Sequence, residues 1–174
     1  MQELTNLPKN NDISEKLIFT TPFARFWFSF VSPYFKGIKD GNYEEFETIY
    51  NNKKGDFANF IFEQLAHEYI KNIFSKTIDD TIYKVGRYWD DDCQIDLLVK
   101  TKSGKIIAGS CKYTNSKVKK SELTNLKATC EKLGIDVDIF VLFSKSGYSN
   151  ELKALKGDGL KLFTSKTLLQ LVRG

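Results

Sequence analysis

The chain has 174 residues, 41% of them hydrophobic and 28% charged, with a net charge of +4, enough length and apolar content for one soluble globular domain that buries its own core. Its three cysteines, Cys93, Cys111 and Cys130, are odd in number, widely spaced and without a CxxC pair, which excludes a disulfide framework and a zinc knuckle. The most apolar stretch, Phe23 to Val31, is interrupted by Arg25 and is too short to span a bilayer; with no signal-peptide pattern, the expectation is a cytoplasmic protein that does not engage a membrane.

From Leu4 to Lys16 the sequence is polar and aperiodic and reads as an irregular entry or linker. Thr21 before Pro22 is a helix start, an N-cap followed by proline at the first helical position, and Pro33 is expected to end what it opens. Between them Phe23, Phe26, Trp27, Phe30 and Val31 recur at helical spacing, a stripe that must be covered by the rest of the chain or by a neighbouring domain. Tyr43 to Tyr50 is helical again through Phe46, Ile49 and Tyr50, and the run Asn51 to Gly55 reads as its break. A boundary is placed there, giving a helical extension over 1–53 and a second unit over 54–174. Asp56 is expected to cap a central helix from Phe57 to about Phe74, with Glu63 at the edge of its apolar arc, positioned to reach a cleft beside a sheet. His67, the single histidine, lies four residues further on the same side and reads as a satisfied or cleft-lining residue.

Three β-branched or aromatic runs follow, Ile78 to Trp89, Gln94 to Thr101 and Lys105 to Tyr113, separated by Asp90-Asp91-Asp92 and Lys102-Ser103-Gly104. They read as an antiparallel meander with a solvated acidic turn. Ser121 to Leu133 has helical spacing and stops at Gly134; Val137 to Phe143 is then a buried strand whose long crossover implies parallel pairing with the third strand. Leu160 to Phe163 and a helix from Ser165 complete an α/β fold with an αβββαβ core and a mixed sheet.

Charge is uneven along the chain. Residues 1–50 hold five Lys/Arg against seven Asp/Glu, leaving 21 of the 26 cations and 15 of the 22 acids downstream. Lys112, Lys117, Lys119, Lys120 and Lys127 are opposed only by Glu122 in their segment, and Lys117, Lys119 and Lys120 are candidates to meet a phosphate backbone. The chemistry concentrates at Asp96, a carboxylate inside an apolar strand, which needs a partner to offset its burial. A two-residue loop at Ser103-Gly104 would set Asp96 opposite Cys111. A three-residue loop with Gly104 in the left-handed position sets it opposite Ser110, with Lys112 diagonal on the same face, and is the favoured register.

An acid on one strand, a turn, then x-x-Lys on the next, after a helix bearing Glu63, resembles the PD-(D/E)XK nuclease superfamily over roughly residues 55–145. More narrowly, Pro22-Phe23-x-Arg25-Phe26-Trp27-Phe28-x-Phe30-Val31-x-Pro33, Phe62-Glu63, Ile95-Asp96-Leu97 and Gly109-x-Cys111-Lys112-Tyr113 resemble the C-terminal domain of archaeal and bacterial DEXX-box ATPases. No GxxxxGK[ST] motif occurs, so the resemblance implies a C-terminal portion detached from its nucleotide-binding module. It also implies a restriction-endonuclease-like fold, Mg²⁺ or Mn²⁺ held by Asp96, Glu63 and the Cys111 backbone carbonyl, Lys112 as the charge-stabilising cation, and DNA and an ATPase module as partners. Ser110 stands where the superfamily has its second carboxylate. The resemblance therefore leaves three functions: a DNA-binding or regulatory module with a degenerate metal site, a weakly active Mg²⁺-dependent endonuclease using Asp96, Glu63 and Lys112, or a protein-interaction domain.

Overall fold

The computed structural model describes residues 2–5, 15–19 and 21–171. Two short strands, β1 (Gln2–Thr5) and β2 (Glu15–Ile18), pair antiparallel, so the ends of the polar entry are strand rather than irregular; residues 6–14 of that entry lie outside the described residues. Thr21 caps α1 (Pro22–Phe26) as expected, its hydroxyl accepting the Ala24 N–H at 3.1 Å. Pro33 does not end the helical run. The chain passes through a π turn (Trp27–Val31) and a 3₁₀ turn (Ser32–Tyr34) into α2 (Phe35–Lys39), because proline near the start of a 3₁₀ turn loses an N–H that had no intrahelical partner.

The break expected at 51–55 is absent. Helix α3 runs without interruption over Glu44–Tyr69, so the boundary placed at 53/54 falls inside a helix. Its first turn carries Glu44, Glu45 and Glu47, which suit the positive end of the helix dipole. Tyr50 and Phe57 lie two turns apart, on opposite sides of Gly55 along the helix, and both pack on Phe26 and Phe30, with ring centroids 5.5 to 6.2 Å apart. Each such pair is worth about 0.5–1.5 kcal/mol beyond its burial, against a cost of about 1 kcal/mol for one helical glycine. Tertiary packing thus overrides the local breaker, and half of the aromatic stripe is covered by the chain itself. Phe23 and Trp27 of the stripe remain exposed, as do the neighbouring Phe28 and Phe35.

A π turn (Ile70–Phe74) and α4 (Ser75–Thr77) extend the helix beyond Tyr69. The next strand therefore starts later than its β-rich sequence suggests, at Ile82, after a turn in which Asp79 adopts φ +48°. The sheet contains β3 (Ile82–Trp89), β4 (Gln94–Thr101), β5 (Ile106–Lys112), β6 (Ile139–Ser144) and β7 (Leu160–Thr164) in that spatial order. The first three are antiparallel and the last three parallel. Helix α5 (Lys120–Lys132) supplies the crossover from β5 to β6, and Gly134, at φ +61°, ends it in the left-handed conformation that glycine adopts without penalty. Short helices α6 (Asn150–Ala154) and α7 (Ser165–Leu168) flank β7 in sequence. The αβββαβ order is therefore present, in a mixed five-stranded sheet flanked by helices.

Two apolar layers sandwich the sheet. Phe62, Ala66, Tyr69 and Ile70 of the α3 layer pack on Leu97, Val99, Ile107, Cys111, Val141 and Phe143. Leu123, Leu126 and Cys130 of α5 pack with Leu98, Ala108, Leu142 and Ile95 on the opposite face. Ile95 and Leu97 share parity yet belong to opposite layers. The cause is a bulge: Gly86 pairs with Leu98 and Tyr88 with Ile95, so the single residue Arg87 opposes both Asp96 and Leu97. Such an insertion bends the strand and re-aims one side chain; here that side chain is Asp96.

Candidate functional site

The β4–β5 turn decides where Asp96 points. Thr101 and Lys105 close a three-residue loop, with the Lys105 carbonyl accepting the Thr101 N–H at 3.0 Å and Gly104 at φ +93°. The register Leu97↔Gly109, Leu98↔Ala108, Val99↔Ile107 extends to Asp96 opposite Ser110, the favoured alternative. The paired ladder ends at Leu97 and Gly109. Beyond it the Cys111 N–H donates to Asp96 Oδ2 at 2.8 Å instead of to a strand carbonyl, so the carboxylate lies along the strand edge, between the two layers. Next to this site Gly109 lets β4 and β6 pack closely on β5, since a Cβ there would stand 2.6 Å from Val141 Cγ2 and 3.0 Å from Leu97 Cδ2.

Asp96 is buried and well satisfied. Oδ1 accepts from Gln94 Nε2 at 3.2 Å, and Oδ2 also lies 3.2 Å from the Ser110 hydroxyl. Its backbone carbonyl is 2.8 Å from His67 Nε2. His67 is partly buried and desolvation lowers its pKa, so a neutral ring bearing its proton on Nε2 would pin the Asp96 backbone from the α3 side. The histidine is thus a satisfied residue that fixes the bulge.

On the α5 side stands a residue that the sequence reading had left as a lone opposing charge. Glu122, in the first turn of α5, places Oε1 2.7 Å from Ser110 Oγ and 3.1 Å from Lys112 Nζ. One hydroxyl therefore touches two carboxylates, and Asp96 and Glu122 can be no farther apart than those two contacts combined. Ser110 has a single proton to donate, and the shorter contact to Glu122 is where it is best placed. An acid at the N-terminal turn of a helix is favoured by the helix dipole, a signal visible in the sequence; its arrival over Ser110 depends on the crossover. Lys112 is half-buried and pairs with Glu122 rather than with Asp96. Gln94, Asp96, Ser110, Lys112, Glu122 and Asn125 line a cavity of about 240 Å³.

The α3 side is drier. Glu63 is buried and accepts from Asn59 Nδ2 at 2.7 Å and from Arg87 Nη1 at 3.3 Å. Asn59 Oδ1 in turn accepts the Tyr113 N–H at 3.1 Å, tying α3 to the residue after Lys112. Burial first, and the nearby Asp96 charge second, push the Glu63 pKa up to about 7 against the opposing pull of Arg87, Lys112 and Arg25. The structure thus brings Asp96, Lys112 and Glu63 to one end of the sheet. Cys111 turns its thiol into the α3 core, while its N–H, and with it the carbonyl that a strand residue presents on the same edge, faces Asp96. Lys117 and Lys119 are exposed on the loop entering α5, around the buried Val118, and Lys120 is exposed as the first residue of the helix.

Among the described residues no three His, Cys, Asp or Glu side chains converge as a metal cluster, and no helix is long and apolar enough to cross a membrane. Asp90 closes its own turn, accepting from the Asp92 and Cys93 N–H groups at 2.9 and 2.7 Å, which makes the acidic run a structural turn. A larger cavity of about 580 Å³ lies between Lys71, Lys76, Asp80 and Tyr83, but its charged lining is loop and helix surface with no buried acid.

Comparison with known proteins adds a family and nothing finer. The model of a family described as archaea bacterial proteins of unknown function matches residues 27–124, from the aromatic turn after α1 to the start of α5. No curated protein and no solved structure matches the chain.

Proposed function

The chain belongs to that family of archaeal and bacterial proteins, whose model spans more than half of it, and from this premise we propose that its site is that of a metal-dependent phosphodiesterase acting on DNA, on a restriction-endonuclease-like fold. The observation that carries the reading is Glu122 over Ser110. It supplies from a helix the second carboxylate that the strand lacks, so the substitution at Ser110 does not leave the centre one charge short. Mg²⁺ is commonly held by one or two carboxylates plus water, and the hard oxygens of Asp96 and Glu122, with the Cys111 carbonyl, suit that ion or Mn²⁺. When bound, such a cation polarises a phosphoryl oxygen and acidifies a water.

The chain's own residues have distinct tasks in this reading. His67 and the Cys111 N–H hold Asp96 in place. Lys112, partly exposed beside Glu122, can turn its ammonium toward charge developing on a phosphoryl oxygen. Glu63, pushed up to about 7 by burial, can orient a water or exchange a proton with it. Service as the C-terminal module of an ATPase rests on the sequence resemblance alone and belongs to the same proposal.

A second reading, a DNA-binding module that does not cut, is favoured by the ion pair in which Glu122 is already engaged with Lys112. The two are separated by incubating the protein with plasmid, single-stranded and branched DNA in Mg²⁺ or Mn²⁺. The hydrolytic reading expects cleavage that disappears with chelator and with Asp96→Asn. Absence of cutting across that panel, with salt-sensitive binding that weakens on reversing Lys117, Lys119 and Lys120 to Glu, leaves only the binding module.

A further inference from the structure

Arg25 entered the sequence reading as the interruption of an apolar run and as one residue of the N-terminal motif, without a role, and the proposed chemistry leaves it unused. It is the one charged residue between Phe23 and Val31. Its guanidinium lies 3.4 Å from the centroid of the Phe60 ring, one helical turn before Glu63 on α3. Stacking of this kind pins a planar cation while leaving its in-plane N–H donors available. Among the described residues Arg25 forms no ion pair within 4.0 Å. Burial lowers its pKa, and the charges it feels most are Glu63 and Arg87.

Arg87 comes to the same place from the bulge in β3 and β4. Its Nη1 reaches Glu63, and its buried Nε has no hydrogen-bond partner. Two guanidiniums therefore lie near one carboxylate that pairs with Arg87 alone and is also bound by Asn59. The unpaired cation feels the repulsion of its neighbour, and partial burial weakens the solvent screening that would mask it. Stability alone is a poor physical reason for this arrangement, since an apolar residue at position 25 would cover Phe60 without the charge. An anion placed between the two forks would remove the repulsion and supply acceptors to both, and phosphate is the anion whose geometry guanidinium matches with paired bonds.

We propose that Arg25 and Arg87 form a clamp for a backbone phosphate next to the scissile one, so that the N-terminal helical segment completes the substrate site of the sheet. This rests on the phosphodiesterase reading for its position along the substrate, but it makes a separate claim about which residues bind. It assigns α1 a binding role, with Lys112 and the α5 lysines meeting the strand on the other side of Asp96.

The test uses the full chain with Arg25→Gln, Arg87→Gln and Arg25→Lys, a labelled oligonucleotide, and inorganic phosphate as competitor. Thermal unfolding selects the variants that remain folded, and Arg25→Lys keeps the charge and the stem over Phe60 while losing the planar fork. Without divalent metal, Arg25→Gln should weaken oligonucleotide binding roughly tenfold and make the salt dependence shallower by about one phosphate contact, with Arg25→Lys in between. In metal, the loss should appear in KM with kcat retained. Arg25-dependent competition by inorganic phosphate against the oligonucleotide is expected of the clamp; phosphate that binds through Arg25 without displacing the oligonucleotide would show a free-anion site and overturn its assignment to the nucleic-acid backbone. Unchanged affinity and salt slope in folded Arg25→Gln and Arg25→Lys overturn the clamp while metal-dependent cleavage keeps the reading of the Asp96 centre. Conversely, binding that depends on Arg25 without any cleavage sustains the clamp and removes the hydrolytic reading.

Discussion

The two sides of Asp96 carry the same kinds of group, an acid facing a base, and handle them differently. On the α5 side Glu122 and Lys112 meet at 3.1 Å at the wall of a cavity, each partly exposed. On the α3 side Glu63 and Arg87 meet at 3.3 Å with both side chains largely buried, and Glu63 titrates near 7. The difference is one of solvent. An exposed ion pair costs little to open and leaves its members free to exchange partners, whereas a buried one holds its members in place and shifts their ionisation. The open side suits ligation of an incoming group, and the closed side suits positioning and proton exchange.

The largest effect expected is at the pivot between the two sides. Asp96→Asn keeps an acceptor for the Cys111 N–H and removes the charge, and should lower metal-dependent cleavage roughly a thousandfold without loss of fold by circular dichroism. Retained activity would mean that neither side is a reaction centre.

The next experiment tests whether the open side owes its ligand to Glu122. Glu122→Ser should reduce metal affinity, read by isothermal titration, by about a hundredfold, and Ser110→Glu added to it should restore most of the loss, because the carboxylate returns to the strand position. If the double variant binds metal no better than Glu122→Ser, then Glu122 does not stand in for a strand acid. Gly109→Ala attacks the frame that both sides share: the added methyl meets Val141 and Leu97, and overpacking of this kind costs about 1–3 kcal/mol, read as a fall in Tm.

The closed side makes a prediction about pH. Because the Glu63 pKa is raised in the folded chain, its proton stabilises the fold; that stabilisation is complete below the unfolded value near 4.5 and is lost as pH rises through about 7. Glu63→Gln, which can still accept from Arg87 and Asn59, should therefore be more stable than wild type at pH 8 by about 1–2 kcal/mol, with the gap closing toward pH 4.5. A gap independent of pH would show that folding leaves the Glu63 pKa unshifted. The smallest effect is expected at the larger cavity, where Lys76→Ala should change cleavage and DNA affinity less than twofold; a large loss there would move the site away from Asp96.

Much of this arrangement was legible from short-range patterns. The hairpin register that sets Asp96 opposite Ser110 follows from a loop of three residues ending in glycine; β4 has the limits expected, and those of β5 and α5 shift by one residue. The reading failed where distant packing competes with a local signal. Gly55 and its polar neighbours form an ordinary helix breaker, but Phe26 and Phe30 pack on Tyr50 and Phe57 on either side of it. Likewise Ile78 to Thr81 has strand-forming residues that end up in the turn after α4.

By itself, then, the sequence determined the order and type of the αβββαβ elements, the buried acid, and the pairing of the β4–β5 hairpin, because each depends on residues close together along the chain. Only the tertiary structure decided that Glu122 reaches Ser110, that Arg25 stacks on Phe60 near Glu63, and that a bulge turns Asp96 to the strand edge. These depend on a crossover helix, an N-terminal helix and a third strand converging in space. Periodicity says which face of an element is apolar, and the packing of that face sets the neighbours of its charged side chains.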